Sequence, residues 1–294
     1  MNTTDVSTNS KAARPRTSQS LLRKVMRVLI FCAILYAALL VMLVFSENSM
    51  VYPGSDETRG NWKPTYLHEE IEFTSADGTK LVGWYLPQQG ATETVLHCHG
   101  NAENVAQTCQ YMGQQLRYML NANVFVFDYR GYGKSEGTPN EAGVLADSEA
   151  ALQWLAERTG KPTNEIIVSG HSLGGGPAVD LGSKQPLKLL ILQRTFASTI
   201  ETAQSRFWFV PCGLLMQNRF ESAEKIKTCE APIFQSHGEL DQLISIESGK
   251  RLFDNAPTDF KEFYPIPEAN HWSNLPDNYW LRLREFVYEL NQRR

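Results

Sequence analysis

The run "EIIVSGHSLGGG", from Glu165 to Gly176, constrains this chain more than any other. "EIIV" reads as a buried strand and "SLGGGPAVDLGSK" as a helix, with almost nothing between them. A strand that turns into a helix over so few residues drives its central residue into a backbone conformation that L-amino acids avoid. Gly170 and Gly174, two residues before and two after Ser172, remove the Cβ atoms that would clash in such a turn. Ser172 is thereby lifted above the edge of a sheet and set at a helix N-terminus, where developing negative charge is favoured. A merely glycine-rich helix start is the plainer alternative, and the flanking strand and helix argue against it.

The rest of the chain repeats the strand–helix alternation. "HEEIEFTSADGTKLVGWYLP" alternates apolar and polar residues on both sides of Asp77-Gly78 and predicts a hairpin. "TETVLHCH" predicts a strand, followed by a helix from Asn101 to about Met119, and "NANVFVFDYRG" a central strand. Val144, Leu145, Leu152 and Leu155 are at helical spacing in a segment that ends on Gly160. "LKLLILQ", "APIFQSHG" and "FKEFYPIP" are further strands, with helices over about 246–255 and 275–291. This alternation predicts an α/β fold with a mostly parallel central sheet flanked by helices on both faces. No internal repeat is present.

A serine hydroxyl becomes a useful nucleophile when a base takes its proton and a carboxylate orients that base. Asp241 stands just past the strand "APIFQ", and His271 just past "FKEFYPIP". Both are on loops after strands, where ligand-facing groups of an open parallel sheet belong. Glu239 is a rival acid, closer to the turn itself. Asp254 and Asp259 fall in or near a helix and read as solvated, His237 at a strand end as structural, and Asp180 as a solvated or packing residue. The pair His97-x-His99 invites a metal reading, but no third-ligand spacing accompanies it, so no metal and no cofactor is expected.

The landmarks "MVYPG", "DGTKLVGWYLP", "HGNAEN", "FDYRGYGKSEGTP", "GHSLGG", "HGELD" and "NHW" together resemble those of the α/β-hydrolase fold, from about Tyr66 to the C-terminus. Within that superfamily the chain is similar to membrane-anchored, serine-aminopeptidase-like hydrolases with an N-terminal signal anchor. The chain order Ser172, Asp241, His271 is the one such enzymes use. The resemblance implies an oxyanion hole from the backbone N–H groups of Asn101 and Leu173, with Gly100 shaping the first turn. It implies a structural Asp128–Arg130 pair and a short cap over about 195–228, with Phe207, Trp208, Phe209, Val210, Leu214, Leu215 and Met216 clustered. These apolar residues form either an open acyl-binding surface or ordinary packing on the sheet. Where many relatives have Ser-Pro-Phe, this chain has Arg194-Thr195-Phe196. The function expected is hydrolysis of a carboxylic ester, or a thioester or amide, on a small-molecule or lipid acyl substrate. The alternative is a catalytically silent, membrane-tethered binding module on the same fold. A dehalogenase or epoxide hydrolase needs a carboxylate where Ser172 stands.

Val28 to Phe45 is eighteen residues without a charge, close to the length that crosses a bilayer. Lys11, Arg14, Arg16, Arg23, Lys24 and Arg27 precede it against the single acid Asp5, while Glu47, Asp56 and Glu57 follow. The expected organisation is a cytoplasmic basic tail over 1–24, a transmembrane signal anchor over 25–45, a linker over 46–65 and a hydrolase domain over 66–294. The positive-inside rule then places the hydrolase domain on the non-cytoplasmic side. Residues 1–20 read as a disordered tail. A signal peptide cleaved near Val44-Phe45-Ser46 is the rival. The overall balance, 28 basic against 32 acidic residues, suggests no nucleic-acid partner. Besides Cys32 there are Cys98, Cys109, Cys212 and Cys229, an even number that permits disulfides. Cys212–Cys229, bracketing an irregular segment, is the favoured pair, and Cys98 reads as a small buried side chain.

Overall fold

The computed structural model describes residues 16–54 and 56–293. Contacts divide the chain into two compact units, one ending at Phe45 and one from Ser46 to Arg294. The first helix, α1, runs from Arg16 to Val51. Its stretch Leu21–Val51 is long and apolar enough to cross a membrane, with a mean hydropathy of 3.0 in its most apolar window, none of it buried. The helix begins within the stretch expected to be a disordered tail. Residues 1–15, with most of that tail and the basic residues Lys11 and Arg14, lie outside the described residues.

The second unit holds β1 (Glu69–Thr74), β2 (Lys80–Leu86), β3 (Glu93–Cys98), α2 (Val105–Thr108) and α3 (Gln114–Met119), then β4 (Ala122–Phe127) and α4 (Glu141–Thr159). There follow β5 (Ile167–His171), α5 (Gly175–Lys184), β6 (Leu189–Gln193), three short helices α6 (Thr199–Arg206), α7 (Cys212–Leu215) and α8 (Ser222–Lys225), then β7 (Ile233–Gly238), α9 (Ile246–Asp254), β8 (Lys261–Ile266) and α10 (Asp277–Gln292). The strands form one sheet in the order β1-β2-β4-β3-β5-β6-β7-β8. The hairpin β1–β2 is antiparallel, as is β2 on β4, and every later pairing is parallel. This is the α/β-hydrolase fold.

Strand alternation sorts the core into two layers, since successive side chains leave a strand on opposite faces. Leu96, Phe125, Val168 and Leu190 pack on one side with Leu152, Leu155, Ala178 and Leu252 from α4, α5 and α9. Val95, Val124, Ile167 and Ile191 pack on the other with Leu116, Tyr279, Trp280 and Leu283 from α3 and α10. Parallel strands covered on both faces explain the nearly continuous apolar runs in the sequence.

The structure departs from the sequence reading in four places. The segment expected as a linker is packed into the second unit: Tyr52 is buried and donates to Asn218 Oδ1 at 3.0 Å, and Glu47 accepts from the backbone N–H of Gln217 and Asn218. The helix expected over 101–119 starts at Val105 and is interrupted by a π-helical turn, Cys109–Gly113. Arg130 pairs with Asp147 and Asp77 rather than with Asp128. Asp128, at the end of β4, instead accepts from the Val105 N–H at 2.8 Å and so ties the sheet to α2. All five cysteines are free thiols, Cys212 and Cys229 included. Asp180 is the buried packing residue of the two readings, bonded to Lys225 and Lys184.

Candidate active site

Ser172 opens a single 3-10 turn between β5 and α5, with φ 52. A left-handed conformation at a residue with a Cβ costs on the order of 1–3 kcal/mol and persists only where the surroundings enforce it. Here they do. A Cβ on Gly170 would come within 2.8 Å of Ala178 Cβ, and one on Gly174 within 2.7 Å of the His99 carbonyl and closer still to that of Cys98. Thr195 Oγ1 donates to the Ser172 carbonyl at 2.8 Å and fixes the turn from the β6 side.

Ser172 Oγ is 2.9 Å from His271 Nε2, and His271 Nδ1 is 2.7 Å from Asp241 Oδ2. The three residues, 69 and 30 positions apart in sequence, meet at the C-terminal edge of the sheet, and all three are buried. Bonding of Nδ1–H to the carboxylate leaves the Nε2 lone pair for the serine proton. The other Asp241 oxygen, Oδ1, accepts from the N–H groups of Leu243 and Ile244 at 2.9 Å each. Burial pushes the Asp241 carboxyl up, but nearby His237 and the hydrogen bonds from His271 and Ile244 outweigh it and hold the group well below the usual carboxylate range. His237 donates from Nε2 to the Ile244 carbonyl at 2.9 Å, bracing the same loop. The rival acid Glu239 points into solvent, and its N–H joins β8 at the Ile266 carbonyl. Gly238 is required there, because a Cβ would strike the Ala269 carbonyl that anchors the His271 loop through Leu240 N–H.

The turn after β3 is held against the Ser172 turn. Tyr129 donates its hydroxyl to the His99 carbonyl at 2.9 Å, and Tyr132 donates to the Asn101 carbonyl at 3.0 Å. These tyrosines make the glycine-punctuated loop after β4 a support of the site, through two carbonyl partners that carry no signal in the sequence. Leu173 lies in the first turn of a helix, whose N–H groups have no intrahelical acceptor. A Cβ on Gly100 would come within 3.2 Å of His171 Nδ1. His97 and His99 are both buried, with Nδ1 engaged by Ser169 Oγ at 3.0 Å and by the Gly100 carbonyl at 2.7 Å.

His171 stacks on His271 with ring centroids 5.9 Å apart. Burial, then His271 and Arg194 beside it, push it down to about 3 from an ordinary value of 6.5. The unfolded chain binds that proton at the higher value, so this group makes stability fall as pH drops from 6.5 towards 3. Asp128, pushed up to about 8 by burial, takes up its proton in the folded state first and works in the opposite sense. Replacing His171 by glutamine is expected to flatten melting temperature against pH in the His171 window, leaving the shares of His97 and His99. An unchanged acid slope would mean that His171 is not a source of it.

The cap expected over 195–228 comprises α6, α7 and α8. Its apolar residues divide: Val210 is buried, while Trp208 and Leu214 are 80% and 84% exposed and do not pack on the sheet.

The fold and this site point to one superfamily, and the comparisons agree. The serine aminopeptidase S33 profile matches residues 89–199. Protein bem46 of Schizosaccharomyces pombe is 31% identical over 263 residues, covering 83% of this chain and 86% of that protein. Escherichia coli K12 YfhR is 29% identical over 262 residues, covering 86% and 87%. The Pyrococcus furiosus esterase Pf2001 superposes with a TM-score of 0.66 at 22% identity, over 80% of this chain and 98% of that one. The chain belongs to the α/β-hydrolase superfamily.

Proposed function

We propose that this chain is a membrane-anchored serine hydrolase that cleaves carboxylic esters. One observation carries the reading: an unbroken hydrogen-bonded path from Ser172 Oγ through His271 to Asp241, at 2.9 and 2.7 Å. In this scheme Ser172 Oγ attacks the ester carbonyl as His271 Nε2 takes its proton, and Asp241 stabilises the imidazolium. The N–H groups of Asn101 and Leu173 receive the oxyanion, each donor contributing about 10²–10³ in turnover. His271 returns its proton to the leaving alcohol, and water attacks the acyl-enzyme by the same route in reverse. A thioester leaves more readily, and an amide demands fuller protonation of its nitrogen; both are secondary substrates of the scheme. Solved structures with this fold include a Pyrococcus furiosus esterase and an acetyl xylan esterase from Paenibacillus sp. R4, which favours the ester.

Residues 66–294 are the hydrolase domain of this reading, with 195–228 as its cap and a small-molecule or lipid acyl group as substrate. The candidate span Leu21–Val51 supplies the anchor, and the basic residues that precede its uncharged core Val28–Phe45 argue for a cytoplasmic N-terminus. Fluorophosphonate labelling of cells that express the full chain tests both parts. A labelled Ser172 peptide is expected in the membrane fraction, and protease added to unopened cells (spheroplasts, for a walled cell) should remove the label. No adduct on folded protein would refute the hydrolase; digestion only after the cytoplasm is opened would refute the orientation.

A further inference from the structure

Arg194 follows β6 directly and is the second strained residue at this edge of the sheet, with φ 50 against the 52 of Ser172. The residue is buried, at 4% exposure. Its Nη1 donates to the His271 carbonyl at 3.2 Å, so the guanidinium lies against the loop that carries the candidate base. Its charge reaches Asp241, Tyr279 and Tyr111, and it bears on His171. Among the described residues, Nε and Nη2 have no hydrogen-bond partner.

That pair of donors is the side-on fork of the guanidinium, two parallel N–H groups whose spacing matches the two oxygens of a carboxylate. The same molecule shows the fork satisfied elsewhere. Arg130 directs Nε and Nη2 to Asp147, and Arg282 directs the same two atoms to Glu262. The carboxylate whose charge bears on Arg194 is Asp241, and its oxygens already serve His271, Leu243 and Ile244. Burial of a guanidinium without a counter-charge is costly, and arginine cannot escape by losing its proton. Arg194 thus sets a charge and an unpartnered planar fork beside the candidate base.

We propose that Arg194 binds a carboxylate carried by the substrate, so that the esters this chain hydrolyses bear a free acid group. The inference rests on the serine-hydrolase reading and names its substrate class. The fork selects a planar anion, as Asp147 and Glu262 are for the other two arginines. Arg194 is a binding residue here and takes no part in the proton relay.

The test compares matched ester pairs on full-length protein in detergent: mono(4-nitrophenyl) glutarate against 4-nitrophenyl butyrate, and 3-acetoxybenzoate against phenyl acetate. The first pair carries the acid on the acyl side and the second on the leaving group. For one pair, kcat/KM for the acid-bearing member is expected to exceed that for its neutral partner by roughly ten- to a hundredfold, the worth of a charge-assisted bidentate bond. Arg194→Met should bring that ratio to about one, and Arg194→Lys, a charge without the fork, should keep only part of it. A structural role alone would lower both members of a pair together and leave the ratio unchanged. A wild-type ratio at or below one in both pairs overturns the proposal, even if neither variant folds. Fluorophosphonate labelling of Ser172 in the same preparation separates the two failures: label without preference rejects the Arg194 assignment alone, whereas no label rejects the hydrolase.

Discussion

Replacement of Ser172 by alanine is expected to lower kcat for a short 4-nitrophenyl ester by about 10⁵–10⁶-fold, the size of effect seen when a triad nucleophile is removed. The change deletes one oxygen and little else. Among the described residues the hydroxyl bonds only His271 Nε2, while the Ser172 carbonyl keeps its bond from Thr195. Alanine accepts the left-handed φ no more readily than serine, so the turn stays strained to a similar degree. Melting temperature should therefore move little while turnover vanishes, and that split separates loss of a nucleophile from loss of fold. What activity remains would come from oxyanion donors and substrate positioning, without an acyl-enzyme. Ester turnover within tenfold of the parent would mean that another group attacks.

The candidate site was far more legible in the sequence than its supports were, and the reason is physical. A strand-to-helix turn is specified by residues within a few positions of one another, so Gly170, Ser172 and Gly174 announce it locally. Asp241 and His271 follow from the rule that loops after parallel strands face the ligand. Long-range partners carry no local signature. Arg130 bonds residues 17 and 53 positions away, Asp147 and Asp77, and nothing in "FDYRGYGKSEG" distinguishes them from Asp128. Nor does a polar stretch such as 46–65 declare that Glu47 will bond backbone 170 residues further on. Arg194 was visible as a departure from a pattern, but its unpartnered fork depends on every neighbour at once. The π-helical turn at Cys109–Gly113 leaves the helical period of its apolar residues nearly intact, which hides it from periodicity.

Replacement of Asp241 by asparagine carries the second-largest expected effect, about 10⁴-fold in kcat at neutral pH, through a reversed tautomer. Asp241 Oδ1 accepts two backbone N–H groups, from Leu243 and Ile244. An asparagine must keep its oxygen there, because its NH₂ would face those two donors. The NH₂ then occupies the position of Oδ2, 2.7 Å from His271 Nδ1, where a carboxylate had accepted. Two donors cannot share that contact, so His271 moves its proton to Nε2 and loses the lone pair that received the serine proton at 2.9 Å. Fluorophosphonate labelling should slow with turnover, since both need the activated hydroxyl. Activity should recover as hydroxide concentration rises, because direct deprotonation of the serine bypasses the histidine. Glu239→Gln is the matched control: the side chain is exposed and only its backbone joins β8, so turnover within about twofold is expected for a surface change of this kind. If Glu239→Gln fell as far as Asp241→Asn, or Asp241→Asn stayed within tenfold of the parent, the carboxylate that orients His271 would have to be sought elsewhere.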